Sequence, residues 1–115
     1  VWEDFERRLK RTDGELAWPE GCDEHDVLRD RIFSGAVYMR GAMYFRALER
    51  RVGRAELDAA MRSFMDAHRG GAARLEDLLA AIHDKTGYDP RPCAMSWLRE
   101  RALPDKALMT CPKAP

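Results

Sequence analysis

Few side chains in this chain have the types and spacing that chemistry needs. Cys22-Asp23-Glu24-His25-Asp26 places a thiol, an imidazole and three carboxylates in five residues, the composition of a metal-binding loop. A structural zinc site wants four ligands at fixed spacing. No second pair accompanies this one: Cys93 and Cys111 stand apart, and His68 and His83 have no histidine four residues away. No metal ligand is assigned here. Nucleophilic catalysis has no candidate either, because Ser34, Ser63 and Ser96 lack a G-x-S-x-G elbow and a His–acid partner. Arg46, Arg50, Arg51 and Arg54 make a basic stripe, but Glu49 and Glu56 interrupt it and no aromatic ladder runs with it. It reads as a solvated helix face or as internal salt bridges. His68 stands at a helix end, where a cation or donor meets free carbonyls, so its expected role is capping. Trp97, beside Leu98, reads as core.

The elements that must position any site are helical. Tyr38, Ala42, Phe45, Leu48 and Val52 step by three or four and predict one apolar helix face, with Gly53 as its end. Leu57, Met61, Phe64, Met65 and His68 predict a second helix closed by Gly70-Gly71. Leu75, Leu78, Leu79 and Ile82 predict a third closed by Gly87. Pro90 and Pro92 permit a late start for the next, which Ala94, Trp97, Leu98 and Arg101 carry on until Pro104. Trp2, Phe5 and Leu9 fit the tail of a helix that began upstream. The fold class expected is all-α: about four or five antiparallel helices with short links. Three stretches follow: a partial helix and acidic irregular connection over 1–35, a helical subdomain over 36–104, and a frayed tail over 105–115.

The chain has 115 residues, with 20 basic and 20 acidic side chains, so its neutral balance excludes a broad nucleic-acid or anionic-membrane surface. Apolar runs such as Leu78-Leu79-Ala80-Ala81-Ile82 are too short to span a bilayer. Glu3, Asp4 and Glu6 stand where a signal peptide would be apolar. Val1 in place of Met suggests a piece of a longer polypeptide. Three irregularly spaced cysteines fit a reduced, intracellular protein, and a cytoplasmic setting is expected.

Ile32-Phe33-Ser34-Gly35-Ala36-Val37-Tyr38-Met39-Arg40-Gly41-Ala42 resembles the Tyr-x-Lys/Arg-Gly-Ala block that follows the catalytic helices of aminopeptidase N-like zinc metallopeptidases, most closely the actinobacterial branch. The likeness runs on in register through Arg46-Ala47-Leu48, Val52-Gly53 and Phe64-Met65-Asp66-Ala67-His68. It continues through Glu76-Asp77-Leu78-Leu79, Thr86-Gly87-Tyr88-Asp89, Ser96-Trp97-Leu98 and Leu103-Pro104, covering Asp30 to Pro104. It implies the helical subdomain that follows a thermolysin-like catalytic core, in an enzyme that removes N-terminal residues from peptides. The implied cofactor is one zinc, held by H-E-x-x-H and a distant Glu. Neither that motif nor the G-x-M-E-N block is in this chain, so the ligands are expected upstream of Val1 and the fragment alone is expected to be inactive.

One role carries over. The resemblance implies that the Tyr38 hydroxyl donates to the oxyanion of the tetrahedral intermediate. Its place in the first turn of its helix, where the positive end favours negative charge, agrees with that role. Gly41, on the same face one turn later, would let a neighbouring segment approach closely. The implied partners are the upstream catalytic domain of the same polypeptide and a peptide substrate, with no nucleic acid and no membrane. An uncovered apolar face around Val37 and Tyr38 is expected if a catalytic half is absent. Two departures from the family pattern stand out. Arg74 occupies a position where Ser or Thr would cap the third helix, predicting a weak cap. Pro90, Pro92, Cys93 and Ala94 replace a Leu and an aromatic pair, predicting a shortened last helix. The alternative function is a free-standing helical interaction module without catalysis.

Overall fold

The structure is a computed structural model and describes residues 2–10, 35–100 and 104–113. The acidic connection, with Cys22 and His25, lies outside the described residues. Among the described residues the chain forms five α-helices, one 3-10 turn and no strand. The helices are α1 (Trp2–Lys10), α2 (Gly35–Val52), α3 (Arg54–Ala67), α4 (Leu75–Thr86) and α5 (Arg91–Leu98), and the 3-10 turn spans Lys106–Met109. The fold is all-α, as periodicity predicted. No helix among the described residues is long and apolar enough to cross a membrane.

Gly53 alone links α2 to α3. Its N–H closes α2 on Glu49 O at 2.8 Å, and its carbonyl accepts from Leu57 N to open α3. Its φ of 89° is a region that glycine enters without a Cβ clash. Gly87, at φ 74°, ends α4 in the left-handed conformation. The start of α4 is better held than expected. Arg74 offers no acceptor, yet the Asp77 carboxylate accepts from the Arg74 backbone N–H at 2.8 Å, half of a capping box.

Two packing expectations need correction. The fully buried face of α2 carries Arg40, Met43, Tyr44, Ala47 and Leu48; of the predicted stripe, Leu48 lies in it, Phe45 and Val52 pack against its edge, and Tyr38 is exposed, so the face is rotated from the stripe. Hydropathy misses this face because its Arg and Tyr bring their own polar partners inside. The last helix starts at Arg91 rather than late. Pro92 fits the first turn, where no N–H is required. Asp89 serves as cap, accepting from Arg91 N at 3.1 Å and from Arg91 Nε at 2.8 Å.

The C-terminal segment does not fray through Lys113. It lies on α2 and α5 as a strap. Trp97 Nε1 donates to Leu108 O, Arg50 to Met109 O, Arg51 to Cys111 O and Tyr88 OH to Pro112 O, while Cys111 N–H donates to Ala47 O. The reading of the cysteines as unpaired thiols is also overturned: Cys93 and Cys111, 18 residues apart, form a disulfide. Both are buried. Spacing along the chain could not reveal this, because the fold of α5 and the strap is what brings their Cα atoms to 5.6 Å. The pairing removes the cysteine argument for a reduced, intracellular setting.

Two outcomes are expected. Replacing Cys93 and Cys111 together with serine should lower unfolding free energy by about 3 kcal/mol, the chain-entropy value for a loop of this size, in urea titrations. Hydrogen bonds from Arg91 hold the Asp89 carboxyl below the usual carboxylate range. Its contribution is therefore present above the unfolded carboxylate pKa of about 3.9 and is lost as pH falls through the folded value. Asp89→Asn keeps a capping oxygen but does not titrate, so the acid limb of stability against pH should flatten.

Candidate functional site

Tyr38 stands on the first turn of α2 and is 67% exposed. Its ring sits outside the core, while the side chain of Val37, the other residue of the expected uncovered face, lies outside the described residues. Two residues on, Arg40 is 1% exposed. At 100° per residue the two side chains leave α2 about 200° apart, one outward and one inward. The Tyr-x-Arg motif thus splits into an exposed phenol and a buried guanidinium.

The guanidinium reaches the end of α5. Arg40 Nε donates to Trp97 O at 2.8 Å and its terminal nitrogen to Ser96 O at 3.0 Å. These carbonyls belong to the last turn of α5, where no further helical N–H follows to bond them. Farther along α2, the buried Tyr44 hydroxyl donates to Pro90 O at 3.2 Å. Burial pushes its phenol well above its ordinary pKa, with Tyr88 and Asp89 adding to the shift. Burial likewise raises Tyr88, against the opposing charge of Arg51. Both phenols stay protonated at neutral pH and serve as donors that place the α4–α5 connection and the strap.

The other expected roles divide. His68 caps α3: its Nδ1 lies 3.0 Å from Phe64 O. Trp97 is fully buried, as expected of a core residue. The basic stripe does not act as one surface. Arg46 lies over the Trp2 ring at 4.7 Å, Arg50 and Arg51 grip the strap, and Arg54 faces Asp58. Gly41 departs from expectation, because no described atom lies within 4 Å of where a Cβ would stand. No segment of the described chain uses its bareness.

The described residues do not fit a zinc ion. No group of three or more His, Cys, Asp or Glu converges among them, and the Cys93 and Cys111 sulfurs are bonded to each other. Sequence reasoning missed Arg40, Tyr44 and Arg51 as determinants of the site's frame. A second helical period, Arg40–Met43–Tyr44–Ala47–Arg51, was available as the signal, hidden by its polar residue types.

Gly41→Ala should stabilise this chain by about 0.5–1 kcal/mol, because it improves helix propensity without a clash. Thermal unfolding checks this, and a loss of stability would mean that another segment packs against Gly41.

No family model matches the chain, and neither does any curated protein or any solved structure, so the reading of Tyr38 rests on its motif and its geometry.

Proposed function

We propose that this chain is the helical part of a zinc-dependent aminopeptidase, following a thermolysin-like core and delivering Tyr38 to it. The observation that carries the reading is the exposure of Tyr38. A large aromatic side chain on the first turn of α2, the helix that buries Met43, Tyr44, Ala47 and Leu48, points away from its own core. A phenol there is free to donate to a group brought by another body. The role of the chain is to hold this donor. In the hydrolysis of an N-terminal peptide bond, charge develops on the former carbonyl oxygen, and the Tyr38 hydroxyl donates to it. A fixed donor is worth more to that oxyanion than to the ground-state carbonyl, so it lowers the barrier. The zinc and its ligands belong to the core, and this chain alone does not hydrolyse peptides.

Tyr38→Phe, made in the polypeptide that joins this chain to its core, keeps the ring and deletes the hydroxyl. The kcat on an aminoacyl anilide should fall about 100- to 1,000-fold while KM moves little, the pattern of one lost oxyanion donor. Zinc content and melting temperature should match the parent. A near-normal kcat would reduce Tyr38 to a surface residue and favour the non-catalytic interaction module.

A further inference from the structure

We infer that Arg40 is the positioning residue for Tyr38, holding the first turns of α2 in the rotation that aims the phenol outward. This rests on the reading of Tyr38 as the oxyanion donor. Arg40 itself touches no substrate, being 1% exposed on the opposite side of the helix. Its planar guanidinium donates to two successive carbonyls, Trp97 O at 2.8 Å and Ser96 O at 3.0 Å. Two bonds from one rigid fork set direction as well as distance, which a single contact or an apolar side chain cannot do. The neighbouring residue Gly41 has no side chain to lock this turn, and Tyr38 is exposed. The anchor is itself anchored: Trp97 Nε1 donates to Leu108 O at 3.0 Å, and the Cys93–Cys111 disulfide ties α5 to the strap. Strap, α5, guanidinium and phenol form one mechanical series. Misplacing a catalytic group by an ångström costs on the order of 100-fold in rate, so the rotation of this turn matters to the chemistry.

The test is a double-mutant cycle in the polypeptide that carries the core, using Tyr38→Phe, Arg40→Met and both together. It is run at a temperature where circular dichroism finds every variant folded. Arg40→Met should lower kcat about 10- to 100-fold with KM within about twofold. Arg40→Lys, which keeps a cationic donor but not the planar fork, should recover only part of that loss. In the Tyr38→Phe background, Arg40→Met should cost nothing further, because the group it aims is gone. A merely structural arginine would not give that pattern. If Arg40→Met does not fold, Arg40→Lys runs the same cycle, with a smaller loss that also vanishes without the hydroxyl. Normal kcat in the Arg40 variants, or losses that multiply in the double variant, would overturn the positioning role and leave Tyr38 standing. A normal kcat in Tyr38→Phe alone would remove the reading of Tyr38 and this inference with it.

Discussion

The structure turns on a guanidinium buried between two helices. Taking Arg40 out of water is expensive, and the carbonyls that the end of α5 presents to it, which lack helical donors, offset part of that cost. Each side solves the other's problem. Replacing the guanidinium leaves these carbonyls without their donors, at about 1–3 kcal/mol for a buried acceptor left unbonded. The α2–α5 seam is therefore specified in register as well as stabilised. Apolar packing of Met43, Ala47 and Leu48 would tolerate small slips that two directed bonds do not.

The strap follows the same logic with the roles reversed. An irregular segment of this kind brings backbone carbonyls that no ladder satisfies. Arg50, Arg51, Tyr88 and Trp97 supply donors from α2, α5 and the α4–α5 connection, and the disulfide removes the freedom that would let the segment leave. The eight-residue α5 is too short to persist alone. It is clamped by Arg40 at its C-terminal turn, by Asp89 at its start and by Cys93 on its flank. The proposed function asks for this rigidity, since a donor aimed at a developing charge acts only if its helix does not rotate.

The sequence by itself determined the elements. Gly53 and Gly87 end helices because their backbone angles are open to glycine and strained for other residues. The apolar periods of α3 and α4 identify those helices, and His68 caps where a helix-end imidazole should. The Tyr38 motif is a resemblance in residue order, and the role it implies is the proposal made for this chain. Tertiary structure decided which side of α2 faces inward, what the arginines hold, whether residues 104–113 pack, and that Cys93 meets Cys111. The physical reason is common to all four. A polar side chain is assigned to solvent by its type, yet Arg40, Tyr44 and Arg51 are placed by carbonyls 46 to 60 residues away. Such partners are neighbours in space alone, and no local pattern records them.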